Sequence, residues 1–374
     1  MKFSEFLDVR DGTHDSPKRV NIGKKLITTK NLEDNRIDFT NAKNISLNDF
    51  KRINERSKVD QFDILLSMIG TVGNVYQERS AFPDYAIKNL ALLKFHGDEL
   101  LSNWMNYYLQ SKKGQSKIHQ RLSGSTQQYI SLTDLRNIEI TLPNRDQMEL
   151  CIKPLRYLDD LILKNNQIND NLVKLVDSYF INFLNNVTTV EKTIEDIGTV
   201  VGGGTPSKKI ADYWNGDIAW VTPKDLSQHP LIFTSSGENY ITGLGLAKGS
   251  AKLLPTNTIL FSSRAPIGYI SIAKNNLATN QGFKSVIPNK EYSFQFIYEL
   301  LKHETAAIKN EANGSTFKEI SGKKLKQHII NIPNSEDTSK FNEITKPIFK
   351  QLRKLEEENE ELLAIKKGLL EKYF

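Results

Sequence analysis

Two stretches of the chain carry apolar residues at helical spacing. Over residues 155–182, Leu158, Ile162, Asn165, Ile168, Leu172, Leu175 and Tyr179 recur every three or four positions. Over residues 348–373, Ile348, Leu352, Leu355, Asn359, Leu362, Ile365, Leu369 and Tyr373 do the same. That spacing is the seam of packed helices. Pro154 and Pro347 stand just ahead, as expected of a first helical turn. Glu356, Glu357, Glu358, Glu360 and Glu361 read as a solvated face. The two stripes are alike and neither can be buried within its own helix, so the expected solution packs them on each other, antiparallel. Asn165 and Asn359 fall in the seams: buried, they would fix register; exposed, they would not.

The remaining sequence is a repeat with a period near 190. Gly124-Ser125-Thr126 recurs as Gly314-Ser315-Thr316, Ile130-Ser131 as Ile320-Ser321, Leu135 as Leu325 and Pro143-Asn144 as Pro333-Asn334. Within the helices the offset is 194, and Tyr179-Phe180 returns as Tyr373-Phe374. Upstream, Gly12-Thr13 parallels Gly204-Thr205, and Ile64-Leu65 parallels Ile259-Leu260. The chain is therefore expected to run globule 1–144, helix 145–186, globule 187–334, helix 335–374. Short β-like runs (63–69, 258–263) and helical stretches near 99–112 and 293–311 make each globule α+β. Helices of about 26 residues would span roughly 39 Å. One turn of duplex DNA is about 34–36 Å.

Charge follows the same division. Residues 1–144 hold 21 Lys/Arg against 17 Asp/Glu (+4), and residues 187–334 hold 16 against 12 (+4). The helical segments hold 5 against 6 and 8 against 9, −1 each, giving the chain its +6. Two basic globules point to a polyanionic partner. The single cysteine, Cys151, excludes an internal disulfide, and no apolar run reaches the roughly 20 residues of a membrane span. A cytoplasmic protein is expected.

Each globule opens on a turn-rich basic segment, 10–19 and 202–221. Basic, amide and hydroxyl side chains beside turns are the groups that hold phosphates and read base edges. In the first globule the candidates are Lys18, Arg19, Lys24, Lys25, Lys51, Arg52, Arg56, Arg79, Ser125 and Thr126. In the second they are Thr205, Lys208, Lys209, Tyr213, Trp214, Lys224, Arg264, Gln281, Lys284, Ser315, Thr316, Lys318, Lys323 and Lys324. The repeated Gly-Ser-Thr loops would hold phosphate or serve as plain turns. Catalytic and cofactor patterns are missing. There is no G-x-x-x-x-G-K-[ST] loop, no H-E-x-x-H, and no His/Cys set with metal spacing. There is also no Asn-Pro-Pro-aromatic or Asp-Pro-Pro-aromatic tetrapeptide.

The run GGGTPSKKIADYWNGDIAWVTPKDL (202–226), with TNQGFKSV (279–286) and the loops GSTQQYIS (124–131) and GSTFKEIS (314–321), resembles the specificity subunits of type I restriction–modification systems. The resemblance extends over essentially the whole chain. It implies an α+β architecture: two pseudo-symmetric target-recognition domains separated by two long helices packed as an antiparallel coiled coil. It implies that each domain reads one half of a bipartite double-stranded DNA site, the helices setting the gap. It implies two methyltransferase subunits that bring S-adenosylmethionine, and restriction/translocase subunits that join them. This chain would then be no enzyme and hold no cofactor or metal. The first globule opens DGTHDSPKR, without the Tyr-Trp run of the second, so the half-sites are expected to differ. A coiled-coil scaffold without DNA readout, or a stand-alone DNA-modifying enzyme, are the alternatives.

Overall fold

The structure, a computed structural model, describes all residues except 34, 265 and 315–317, and at 33 the backbone alone. It resolves into two units, Met1–Leu161 with Glu361–Phe374, and Ile162–Glu360.

In the first unit an antiparallel sheet has the order β1 (Asp8–Asp11), β9 (Leu90–Lys94), β6 (Ile64–Ser67), β7 (Val75–Gln77). Its central strands are apolar without alternation because both faces are covered. Ile64, Leu66, Ala91 and Leu93 face a core closed by α2 (Glu99–Gln110), α3 (Lys112–His119) and α4 (Leu132–Arg136). Leu65, Leu90 and Leu92 face a second core. That core lies under the small sheet β5 (Lys43–Ile45), β2 (Lys24–Ile27), β8 (Tyr85–Ile87) and the ribbon β3 (Leu32–Glu33), β4 (Arg36–Ile37). Helix α1 (Leu47–Ser57) follows β5, its N-cap Ser46 accepting from Asp49 N at 3.1 Å.

The second unit repeats the plan. Its large sheet runs β11 (Gly198–Gly202), β19 (Lys284–Pro288), β16 (Ile259–Phe261), β17 (Ile270–Ala273), β13 (Phe233–Thr234). The small sheet runs β14 (Asn239–Ile241), β12 (Trp214–Val221), β18 (Leu277–Thr279), β15 (Leu253–Leu254). Helix α9 (Phe294–Glu311) covers one face of the large sheet, while α7 (Pro223–Gln228) and α8 (Gly243–Lys248) belong to the small-sheet side. A ribbon of β10 (Thr189–Thr193) and β20 (Ile329–Pro333), with α6 (Ile194–Ile197) and α10 (Gly322–Gln327), completes it.

The repeat holds at the level of single hydrogen bonds. Ser67 Oγ accepts from Asn74 N at 2.8 Å and donates to Thr71 O at 2.5 Å. Ser262 Oγ accepts from Tyr269 N at 2.7 Å and donates to Pro266 O at 2.8 Å. The loop closed by Ser123 and Tyr129 is matched by one closed by Asn313 and Glu319, each pair exchanging both backbone bonds. Both loops turn on a glycine in the left-handed region, Gly124 at φ +93° and Gly314 at φ +113°. Gly12 N donates to Leu90 O and Gly203 N to Phe283 O. The backbone therefore aligns Gly12 with Gly203, one residue from the sequence match to Gly204.

The long helices, α5 (Arg145–Asn185) and α11 (Ser335–Tyr373), begin some ten residues earlier than their seams suggest. Pro154 and Pro347 lie inside them, not in a first turn. The carbonyls four residues back belong to exposed Leu150 and Glu343, where water can replace the missing partner. The compact units cut both helices, so each unit holds a piece of each. In the second unit the pieces run antiparallel: Asn165 Nδ2 donates to Asn359 Oδ1 at 3.1 Å, while Tyr179 stacks on Phe341, Phe180 meets it edge to face and Phe183 packs on it at a tilt. Asn165 is buried, as the register reading requires. In the first unit Lys366 reaches Asp159 at 2.7 Å, and Phe374 packs on Trp104 and Tyr108. Three expected seam residues, Ile168, Leu175 and Ile365, are exposed; Leu155, Val176, Phe180 and Phe349 are buried in their stead. Glu356 does not belong to a solvated face. It is 6% exposed and accepts Ile232 N and Phe233 N at 2.8 and 3.0 Å. Burial raises its carboxyl to a pKa of about 7, against the pull of those two N–H donors.

Candidate nucleic-acid interface

In the second unit the glycine run 202–204 ends β11 and passes close under neighbouring backbone. A Cβ on Gly203 would lie 2.1 Å from Asn280 O, so only glycine fits. Trp220 Nε1 holds Gly204 O at 2.9 Å, and Trp214 Nε1 holds Ser207 O at 3.1 Å. The two indoles meet edge to face at 5.1 Å. Trp214 is thus a half-buried support of this loop, and Tyr213 beside it is half-buried as well. Thr205 Oγ1 donates to Gln281 Oε1. Gln281 O faces Lys284 Nζ at 3.4 Å. Lys284 reaches Glu319 at 3.8 Å, and Arg264 reaches the same carboxylate at 3.7 Å. The fold thereby brings Thr205, Gln281, Lys284 and Arg264 together around Glu319. Burial lowers the Lys284 pKa; Glu319 pulls it up and Arg264 pushes it down.

The other candidates of this unit lie apart from that cluster. Lys208, Lys209, Lys318 and Lys323 are exposed with no carboxylate within 4 Å among the described residues. Lys324 is spent on Glu311 O and Asn313 Oδ1 at 2.7 and 2.9 Å. Lys224 pairs with Glu238 at 2.9 Å on a 430 Å³ cavity that His229 and Gln228 also line. Ser315 and Thr316 lie outside the described residues.

The first unit uses the same frame with other groups. Where Gly202 pairs with Lys284, Asp11 pairs with Ala91. Where Arg264 bridges to Glu319, Ile69 bridges to Tyr129. Asp11 is nearly buried and takes His14 Nε2 at 2.8 Å on one oxygen and Arg56 Nη2 on the other. Arg52 sits between Asp49 and Asp15 at 3.2 and 3.5 Å. A 270 Å³ hollow lined by Thr13, His14, Arg52 and Arg56 results. Lys18, Arg19 and Lys51 are exposed, as are Ser125 and Thr126 on their loop. Lys24 is tied to Asp84 at 2.5 Å, Lys25 to Ala42 O at 3.2 Å, and Arg79 approaches Asp160 at 3.9 Å. The organising carboxylates Asp11 and Glu319 carry no local mark in the sequence, because basic and hydroxyl side chains beside turns point to phosphate and acids do not. The doubled Gly-Ser-Thr loop, five residues before Glu319, was the signal available.

A family model described as the type I restriction modification DNA specificity domain matches residues 18–174 and again 186–367. Among curated relatives, the type I restriction enzyme MjaIX specificity subunit of Methanocaldococcus jannaschii is 42% identical over 185 residues, 49% of this chain and 43% of the relative. The EcoR124I/EcoR124II specificity subunit of Escherichia coli is 30% identical over 231 residues, 58% of this chain and 56% of the relative. The chain thus spans about half the length of these relatives. In fold it is similar to the crystal structure of a type I restriction–modification S subunit from M. genitalium, with a TM-score of 0.59 at 16% identity, covering 100% of this chain and 95% of that one. With two copies of the domain accounting for most of its length, the chain belongs to the type I restriction–modification DNA specificity family.

Proposed function

We propose that this chain is the DNA-reading subunit of a type I restriction–modification complex and catalyses no step itself. Each unit reads one half of a bipartite duplex site, and the paired long helices set the gap. The carrying observation is one hydrogen-bond frame built twice and decorated differently: Arg264, Lys284 and Glu319 in one copy stand where the other has Ile69, Ala91 and Tyr129. A frame that folds with either set does not need the charged one for folding. Groups free of that duty serve recognition, and cations beside hydroxyls and amides match phosphate and base edges. Two methyltransferase subunits would dock on the chain and bring S-adenosylmethionine, with restriction/translocase subunits joining them in the cytoplasm. The contacts this reading assigns are the exposed Lys18, Arg19, Lys51, Lys208, Lys209, Lys318 and Lys323, with Arg264 and Lys284 at the frame.

Replacing residues 187–334 with those of another family member should change one half of the methylated site, mapped on host DNA. Lengthening α5 by one turn should widen the gap with both halves unchanged. A swap that altered both halves would defeat the modular reading.

A further inference from the structure

Among the described residues, the large apolar side chains most exposed to solvent are Ile22 and Phe82, at 93% and 89%. They do not lie at random. Strands β2 and β8 run parallel with Lys25 opposite Tyr85. Ile22 and Phe82 each precede that pair by three residues, on the two approaches to neighbouring strands. An ion pair between Lys24 and Asp84 at 2.5 Å clamps the approaches together. Strand β5 leaves on the same side: Lys24 is opposite Ile45 in antiparallel register, and exposed Leu47 opens α1 two residues later. The turn bearing Ile22 is fixed from behind, with Val20 N on Asn44 O at 3.1 Å and Asn44 Nδ2 on Asn21 O at 3.0 Å. The edge is thus a braced apolar tip.

Its surroundings are basic. Lys18 and Arg19 lie just ahead of Ile22, and Lys51 lies one turn beyond Leu47. All three are exposed, with no carboxylate within 4 Å among the described residues. The second unit carries the same arrangement at the same place in its small sheet. Exposed Lys208 and Lys209 run straight into exposed Ile210 ahead of β12. Exposed Leu244 stands in the first turn of α8, after β14. Thr242 ties the two sides, its N on Tyr213 O at 3.0 Å and its Oγ1 on Asp212 O at 2.7 Å. A feature built twice on different residues is not an accident of one loop.

Apolar tips ringed by unpaired cations fit a partner that is anionic outside and apolar within. A DNA duplex is that partner: phosphates meet the cations, and the stacked bases accept an apolar wedge. An acidic protein face with pockets would attract the same groups, and loss of a methyltransferase subunit in the test below is the outcome that reveals it. We propose that Ile22 and Phe82 enter the duplex at one base step within the half-site of the first unit and unstack it. Ile210 and Leu244 press less deeply into the other half. This rests on the DNA-reading role proposed above and adds that recognition deforms the duplex, so that flexible steps are favoured at a position no polar side chain reads.

The full chain is titrated onto its own site, isolated from random duplexes, with 2-aminopurine placed at successive positions. Wild type should raise fluorescence several-fold at a single step of one half-site. The double variant Ile22→Ser/Phe82→Ser should abolish that rise while its unfolding midpoint stays within a degree of wild type, because neither side chain is packed. Binding with no fluorescent step, or a rise that persists in the variant, overturns the wedge and leaves DNA reading intact. A variant that keeps the rise but loses a methyltransferase subunit would overturn it in favour of protein docking. Failure of wild type to enrich any duplex would sink the DNA reading and the wedge with it.

Discussion

If the second unit reads DNA as proposed, Glu319 holds the place of a backbone phosphate between Arg264 and Lys284, and its removal gives a quantitative test. Arg264 and Lys284 approach its carboxylate at 3.7 and 3.8 Å. The Glu319 and Arg264 side chains are 43% and 37% exposed, so solvent screens both pairs. Partly exposed pairs are worth about 0.2–1 kcal/mol each. A phosphate entering between the two cations must displace the carboxylate at a cost of roughly 0.4–2 kcal/mol for the two pairs. Glu319→Gln keeps the shape and deletes the charge. At about 1.4 kcal/mol per decade, the variant should bind duplex about 2- to 30-fold more tightly. Lys284→Ala should instead flatten the salt dependence, lowering the slope of log K against log salt by about 0.9, or some 3.5-fold between about 50 and 200 mM. Because Ala91 fills the same register position in the first unit, Lys284→Ala should leave stability within about 0.5 kcal/mol. Fluorescence anisotropy on a labelled duplex reads both effects. Glu319 also pulls the Lys284 pKa upward against burial, so wild type and variant are compared at several pH values, the lower of which favour the ammonium in both. A Glu319→Gln chain that bound DNA no better than wild type would refute the placeholder, whatever its stability.

Two further outcomes concern the scaffold. His328, at the entry to β20, directs Nδ1 to Glu311 at 2.7 Å and Nε2 to Glu304 at 3.3 Å. Burial opposes its charge, but the two carboxylates outweigh burial and raise its pKa above the ordinary value. A raised folded-state pKa means the stabilisation is fully present below about pH 6.5 and is lost as pH rises through the folded value. Wild type should therefore lose its stability advantage over His328→Gln as pH rises above about 6.5 in denaturant melts, and parallel profiles would refute the clamp. In the helix seam, Asn359→Leu strands the buried Asn165 amide and should cost about 1–2 kcal/mol. Adding Asn165→Leu removes the orphan, so the double variant should be no less stable than the single; additive losses in urea unfolding would count against the buried pair.

The helices were legible because a seam writes itself as spacing. Their errors are instructive. Five glutamates within six consecutive helical positions, 356–361, cannot all face water, because successive residues turn by about 100° and the run sweeps the whole circumference. One of them, Glu356, turns inward and meets two backbone donors. Ile168, Leu175 and Ile365 satisfied the spacing yet remain exposed, because the sequence shows a stripe but not how wide the covering surface is. The clusters were less legible still. Asp11 and Arg56 are 45 residues apart, and Lys284 and Glu319 are 35 apart, brought together only by tertiary packing that no local pattern announces. The prolines misled for a physical reason: a helix interior tolerates proline where the orphaned carbonyl faces water.

On the proposed role, the doubled frame would let recognition differ between copies without disturbing the fold. The serine-centred turns at Ser67 and Ser262 use backbone groups and one hydroxyl, and the loops closed at Ser123 and Asn313 use backbone alone. Neither set of bonds involves the side chains of Ile69, Tyr129, Arg264 or Glu319, which project from it. The central strands are held on both faces by buried leucines, isoleucines and phenylalanines, so their positions do not depend on what stands at the ends. Positions 91 and 284 lie near the start of their strands on matching ladders, and the ladder holds with a fully buried alanine in one copy and a half-buried lysine in the other. Rigid backbone beneath and free side chains above are the conditions under which a base or phosphate contact can be exchanged at small cost in stability. Asp11 shows where that freedom stops. Its carboxylate is nearly buried and holds both His14 and Arg56, so a change there would move three groups at once and reshape the hollow. The first unit is accordingly the less interchangeable of the two at this site, and the second, with its exposed lysines and glycine loop, the more readily rewritten.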